Sequence, residues 1–277
     1  MQIKHSSEYK PEVWAGETEG IKPRRSLGQN FLRERSVAVM ESEFARGKNT
    51  LELGPGLGML TEELCRTAKH VLSVEKDARL YDFLKSRLAC GNLEIKNKDF
   101  FELSKEEVEG YDILISNVPY NLSSKVLSWI IDNRMETVLC LQEEFVDHML
   151  ARPGSKRYTN LSVFCSLFLS IKEIAKAPAS YFKPVPKVAS KVIHIRIKDF
   201  KAGKEALRII ALIMAHKKKR LKNAVMDSRE ALGLGKTGVM QLSAGLPNAE
   251  SRPFKLQPSE LLESAEYVEG YTKSLHD

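Results

Sequence analysis

The chain has 277 residues, 43% of them hydrophobic, enough to bury a sizeable core and to build one large domain with a smaller one beside it. That composition excludes a disordered or fibrous protein, and a formal net charge of +7 favours an anionic partner, nucleic acid or an acidic membrane surface. No run approaches the ~18 consecutive apolar residues of a membrane-spanning helix, and the N-terminus has no apolar stretch with a cleavage site, so a soluble, cytoplasmic protein is expected. The cysteines, Cys65, Cys90, Cys140 and Cys165, form no C-x-x-C pair of the zinc-binding kind. They read as reduced, buried thiols, and no metal site is expected.

Residues 1–21 are polar and patternless and read as a flexible N-terminal arm. From residue 22 to about 200, short β-rich runs alternate with helical patterns. The runs are TLELG (50–54), HVLSVEKD (70–77), LEIKNKDF (93–100), YDILISN (111–117), TVLCLQEE (137–144), IKEIAKA (171–177) and KVIHIRI (191–197). Between them, MLTEELCRTA (59–68), ARLYDFLKSRLA (78–89), SSKVLSWIIDN (123–133) and NLSVFCSLFLS (160–170) space apolar residues by three and four, which predicts helices. This alternation predicts right-handed crossovers, a mainly parallel sheet and ligand binding at the carboxyl ends of the strands. After KDFKAG the pattern is helix alone: KEALRIIALIMAHKKKRLKNAV (204–225), TGVMQLSAGL (237–246) and PSELLESAEYVEGYTKSL (258–275). Gly203 marks the change, with 22–200 read as an α/β domain and 201–277 as a small all-helical one.

LELGPGLGML places Gly54, Gly56 and Gly58 where a strand hands over to a helix. Glycine there lets the backbone turn tightly and a ligand approach closely. Twenty-one residues after Gly54, HVLSVEKD delivers Glu75, a position from which a carboxylate can take both hydroxyls of a ribose. Asp99 ends the next run and Asn117 the one after it. Ordinary strand-end polarity accounts poorly for the set, which points to a cofactor with ribose and adenine. Met59 directly follows Gly58, so the third small residue of a G-x-G-x-x-G dinucleotide site is missing, and the departure leans towards S-adenosylmethionine.

Several motifs, in their order and approximate spacing, resemble the ribosomal RNA adenine dimethyltransferases: SLGQNFL (26–32), LELGPGLGMLTEEL (51–64), VEKD (74–77), KDF (98–100), NVPYNLSS (117–124), ARPGSKRYTNLSV (151–163) and YFKPVPKVASKV (181–192). The resemblance runs from about residue 22 to RPFKLQPSELLESAEYV (252–268). It implies an α/β fold of the class I S-adenosylmethionine-dependent methyltransferase type. Such a fold has a Rossmann-like seven-stranded sheet whose last strand, here KVIHIRI, runs antiparallel to the others. The implied cofactor is S-adenosylmethionine, contacted by Asn30, Leu32, Gly54 and Gly56, by Glu75 at the ribose, Asp99 near the adenine and Asn117 close to the methionine end. Asn30 stands where many relatives have His, Ala189 where an acidic residue is common and Glu143 where a lysine often sits, so Ala189 and Glu143 are assigned no role.

The substrate chemistry that follows concerns an adenine amine, a poor nucleophile because its lone pair is delocalised into the ring. The Asn117 side-chain oxygen and the carbonyl of Val118 or Pro119 can accept the two amine hydrogens; resemblance favours Pro119, and proline stiffens the turn. Tyr120 offers a flat face for the base, and the resemblance implies Phe182 as the candidate for the opposite one. No general base is required, because the methylated amine is acidic enough to lose its proton to water. Ser123 or Ser124 is expected to cap the next helix.

A base that is normally stacked must be extruded or caught in a loop. Lys22, Arg24 and Arg25, with Lys217, Lys218, Lys219, Arg220 and Lys222 of HKKKRLK, are the expected RNA-binding groups. The second set is read onto a helix with an apolar face of Leu207, Ile210, Ile213, Met214 and Leu221. The resemblance implies dimethylation of the N6 amino groups of two adjacent adenines near the 3′ end of small-subunit (16S-type) ribosomal RNA during ribosome biogenesis, by a monomer acting on the subunit precursor. The alternatives are a large-subunit adenine methyltransferase of the antibiotic-resistance type, and an assembly or RNA-binding factor whose catalysis is secondary. The long helical tail and ARPGSKRYTNLSV favour the small subunit, while intact Glu75, Asp99 and Asn117 to Tyr120 favour an enzyme.

Overall fold

The computed structural model describes residues 21–275, without the side chain of Arg25; apart from Ile21, the arm read over residues 1–21 lies outside the described residues. The N-terminal motif forms a two-residue strand, β1 (Phe31–Leu32), and leads into α1 (Arg35–Ser42). There follow β2 (Asn49–Leu53), α2 (Met59–Thr67), β3 (His70–Glu75), α3 (Ala78–Arg87), β4 (Leu93–Asn97), a single turn α4 (Lys105–Val108), β5 (Ile113–Asn117), α5 (Ser123–Asp132) and β6 (Glu136–Gln142). Two helices, α6 (Glu143–Met149) and α7 (Asn160–Phe168), precede β7 (Leu169–Ala177), the short β8 (Phe182–Lys183) and β9 (Ser190–Ile197). The run TVLCLQEE leaves the sheet at Gln142, because Glu143 and Glu144 open α6, where the positive end of the helix dipole favours carboxylates.

Seven strands form one sheet in the order β4-β3-β2-β5-β6-β9-β7. β2 pairs in parallel with β3 and β5, β3 with β4, and β5 with β6. β9 runs antiparallel between β6 and β7, as the resemblance implies. Thr50, Leu51, Glu52 and Leu53 are all buried on β2, polar and apolar alike, because helices cover both faces of a central parallel strand. One core layer joins Leu51, Leu72 and Leu139 of the sheet to Val126 and Ile130 of α5. The other joins Val71, Ile113 and Val138 to Val37 of α1 and Leu64 of α2. Each fully buried Leu or Ile of this kind contributes ~1.5–3 kcal/mol.

After β9 the chain is helical: α8 (Lys204–Ala215), α9 (Leu221–Asp227), α10 (Lys236–Gly245) and α11 (Pro258–Ser274). Ile209 and Ile213 of α8 and Leu261 and Val268 of α11 continue the first core layer. The single helix read over 204–225 is in fact broken. α8 ends at Ala215, and Arg220 is extended at φ −65°, ψ 149° before α9 begins. Tertiary pairing stabilises the break: the Leu221 and Lys222 N–H groups donate to the Ser251 and Ala249 carbonyls at 2.7 and 3.0 Å, and Phe254 N–H donates to the Lys217 carbonyl at 3.2 Å. Among the described residues, no helix is long and apolar enough to cross a membrane.

Candidate active site

The carboxyl ends of β2, β3 and β5, with the turn after β4, open into one cavity of about 340 Å³. Asn30, Leu32, Gly54, Gly56, Glu75, Asp99, Asn117, Pro119, Tyr120 and Phe182 all line it, so the sequence-predicted cofactor and base contacts are brought together. The β2–α2 turn is built on glycine because its backbone is left-handed, with φ of 66° at Gly54, 60° at Gly56 and 89° at Gly58. The Gly56 N–H donates to Glu75 Oε2 at 3.3 Å, and a β-carbon on Gly56 would stand 3.1 Å from the Phe31 ring.

Glu75 is buried, and its Oε1 accepts the Asp77 N–H at 2.8 Å. Burial pushes the Glu75 pKa up, opposed by the N–H groups of Asp77 and Gly56. Each carboxylate oxygen keeps a further lone pair for a hydroxyl donor. Asp77, the N-cap of α3, also gathers the N-terminal motif: Gln29 Nε2 donates to it at 3.1 Å and Arg24 Nη1 at 3.4 Å. The Arg79 guanidinium, bonded to Asp77 at 2.6 Å, holds that carboxyl down at about 2. Asp99 accepts the Phe101 N–H at 3.0 Å and the Lys76 ammonium at 2.8 Å. Burial alone would raise Asp99, but those two donors outweigh it and hold the carboxyl below its usual range.

Asn30 Nδ2 donates to the Gly28 carbonyl at 3.2 Å. Leu32 pairs with Phe182 where β1 meets β8, so the N-terminal motif and the YFKPVP motif are joined by a two-stranded sheet that neither motif announces. Asn117, the last residue of β5, donates through Nδ2 to Glu41 Oε2 at 3.1 Å, while its Oδ1 is buried without a hydrogen-bond partner. The Pro119 carbonyl accepts the Leu122 N–H at 2.8 Å and has a second lone pair to offer. The expectation that Ser123 or Ser124 caps α5 is overturned. Leu122 holds the N-cap position with no side-chain bond, and Ser123 Oγ instead donates to the Tyr120 carbonyl at 2.9 Å. That hydroxyl fixes the turn carrying the tyrosine.

The basic residues lie in two places. Lys22 is exposed, and Arg24 pairs with Asp77 beside the cavity; the Arg25 side chain lies outside the described set. The HKKKR run occupies the break between α8 and α9, not a helix face. There Lys217 Nζ donates to the Tyr158 carbonyl, Lys219 pairs with Asp227, and Arg220 and Lys222 pair with Glu250. Lys218, Lys219 and Arg220 share a shallow depression with Arg252, a cation the sequence reading missed. Also missed were Lys125, whose ammonium lies 4.0 Å over the Phe101 ring at the cavity wall, and Glu41. The signal for Glu41 was a carboxylate among Val37, Ala38 and Ser42 on the buried face of α1.

This strand order, with a glycine turn, a ribose-competent carboxylate and an unpartnered amide oxygen around one cavity, defines a class I methyltransferase. Residues 20–243 match the family described as Ribosomal RNA adenine dimethylase. The chain belongs to that family. It is 31% identical over 253 residues to a probable ribosomal RNA small subunit methyltransferase A of Thermococcus gammatolerans, covering 90% of each chain. Its fold is similar to that of a dimethyladenosine transferase from Plasmodium falciparum, with a TM-score of 0.71 and 22% identity over 84% of this chain and 95% of that one. The 23S rRNA methyltransferase ErmE shares the fold at a TM-score of 0.62 and 24% identity, over 87% of this chain and 100% of that one. Among the described residues, no group of three or more His, Cys, Asp or Glu side chains could hold a metal ion.

Proposed function

We propose that this protein uses S-adenosylmethionine to dimethylate the N6 amino groups of two adjacent adenines near the 3′ end of small-subunit ribosomal RNA. The observation that carries the reading is the unpartnered Asn117 Oδ1, on a residue that shares the cavity wall with Pro119 and Tyr120. A buried acceptor left without a donor costs ~1–3 kcal/mol, and a substrate amine supplies the missing donor.

The cavity suits the cofactor. Glu75 would take the ribose hydroxyls, Asp99 would meet the adenine, and Asn30, Leu32 and the Gly54–Gly56 turn would hold the remainder. When bound, that cofactor supplies an electrophilic methyl carbon on a sulfonium sulfur. Asn117 Oδ1 and the Pro119 carbonyl accept the two amine hydrogens and draw the nitrogen lone pair out of conjugation with the ring. Tyr120 and Phe182 hold the base by its faces, stacking worth ~1–3 kcal/mol per base. Orientation supplies most of the acceleration, for which ~7–11 kcal/mol is the ceiling. The proton released from the amine passes to water, so no side chain acts as general base.

The helices after Gly203 serve as the RNA-binding domain, with Lys218, Lys219, Arg220, Lys222 and Arg252 at the phosphates, and Lys22, Arg24 and Arg25 are further phosphate-binding groups. The protein works as a cytoplasmic monomer on the subunit precursor; the free state of all four cysteines suits a reducing compartment. The small subunit is preferred because the likeness to the Thermococcus protein spans nearly the whole chain at 31% identity, whereas the likeness to ErmE is one of fold. Purified protein, methyl-labelled cofactor and undermodified ribosomal subunits test the reading. Label is expected in the small subunit; label confined to the large subunit, or entering neither, contradicts it.

A further inference from the structure

Glu41 is fully buried on α1, in contact with the end of β5. Its Oε2 accepts from Asn117 Nδ2 at 3.1 Å, and its Oε1 has no partner. Stability alone does not call for a carboxyl group here. Even a buried ion pair replaced whole by apolar groups of similar volume often leaves stability unchanged or improved, so burial of a carboxyl is weak evidence of a stabilising role. A carboxyl with one oxygen unsatisfied is costly in this setting.

What the carboxyl supplies is polarity to an otherwise ambiguous side chain. A primary amide has nearly the same shape when turned over, but then its NH₂ stands where its oxygen stood. Turned that way, Asn117 would present hydrogens to the hydrogens of a substrate amine, and nothing would draw on the nitrogen lone pair. An acceptor behind the amide favours the useful orientation, because the Nδ2 hydrogens have somewhere to go. We infer that Glu41 is a positioning residue, which holds the Asn117 amide with Nδ2 turned inward and leaves Oδ1 for the substrate amine. The inference rests on the reading of Asn117 as the amine-holding group.

Two other ionisable groups, Glu52 on β2 and the Cys140 thiol on β6, interact electrostatically with Glu41, both buried and neither hydrogen-bonded to it. Glu52 is engaged by Thr61 and Ser73 at 2.8 and 2.6 Å. The Asn117 contact is therefore the one hydrogen bond through which Glu41 reaches the cavity.

The test compares the parental protein with E41M, E41Q and N117A in single-turnover methyl transfer, cofactor binding, RNA binding and thermal melting. E41M, apolar and of similar length, is expected to slow transfer by about 3- to 10-fold, the loss of one hydrogen bond to a neutral, buried carboxyl. Its cofactor and RNA affinities should stay within about twofold, while its melting temperature reports the cost of leaving Asn117 Nδ2 without its acceptor. E41Q retains an acceptor and should recover most of the parental rate. E41M at the parental rate, or E41Q as slow as E41M, overturns the inference. Should E41M not fold, the Asn117 side-chain amide protons in the parental protein decide: they are expected to be protected from solvent exchange, and free exchange overturns the inference. An N117A protein with full activity would instead overturn the reading of Asn117 itself, so the two failures are separable.

Discussion

The Tyr120 hydroxyl lies 2.8 Å from Ser190 Oγ, tying the aromatic ring beyond β5 to the first residue of β9. With Ser123 Oγ on the Tyr120 carbonyl, the ring is held at both its backbone and its far edge. Y120F removes a neutral hydrogen bond worth ~1 kcal/mol and keeps the face. Y120A removes the face as well, costing a further ~1–3 kcal/mol of stacking. Methylation kcat/KM should therefore fall modestly in Y120F and much more in Y120A. Equal losses in the two variants would mean that the ring is not a platform for the base.

Gly58 is required on two counts: φ is 89°, and a β-carbon would stand 2.7 Å from Leu84 Cδ2 and 3.2 Å from Leu88 Cδ1. Gly47 shares the left-handed backbone, at φ 72°, but has open space around it. G58A should thus destabilise by at least ~2 kcal/mol, strain plus overpacking, and G47A by ~1 kcal/mol, strain alone. Urea unfolding with an unchanged m-value checks the difference.

Burial first, then other carboxylates, push Glu41 up from 4.5 to about 8 and Glu52 up to about 7. The unfolded chain ionises both near 4.5, so through that window the folded state binds more protons and stability must fall as pH rises. Asp77 and Glu136, held at about 2 by their donors, act oppositely, and their contribution is lost only at more acidic pH. The melting temperature should decline from pH 5.5 to 8, and E41Q should flatten that decline. Identical pH profiles for the two proteins would contradict the assignment of a buried, proton-holding Glu41.

Lys217 and Lys218 are adjacent but not equivalent. Lys217 is half-buried and bonded to the Tyr158 carbonyl, whereas Lys218 is exposed in the depression it shares with Arg252. Neutralising Lys218 and Arg252 together should flatten the salt dependence of RNA binding by ~1.5–2 in log–log slope, about two phosphate contacts. K217M should lower the melting temperature with little change in that slope. The reverse pattern would place Lys217 on the RNA.

The ligand-binding edge of the sheet was legible because four successive strands, β2 to β5, end at or just before a chemically marked residue: the glycine turn, Glu75, Asp99 and Asn117. The break in the helix over 204–225 was not, because its cause is a pairing with residues 249–254 that no local pattern signals. The same holds for Leu32 against Phe182 and for Tyr120 against Ser190, which meet only through the sheet and its loops. Glu41 was visible as a misplaced carboxylate in an apolar helix face, but its target lies 76 residues away, on β5. Ser123 misled because a serine at a helix start usually accepts from the backbone, and here it donates backwards to hold Tyr120.

The most direct measurement is the identity and count of modified nucleosides in small-subunit RNA after reaction with the purified protein, by mass spectrometry of nuclease fragments. The account predicts two adjacent N6,N6-dimethyladenosines near the 3′ end, and none with N117A. Methylation elsewhere, on another base, or undiminished in N117A would contradict it.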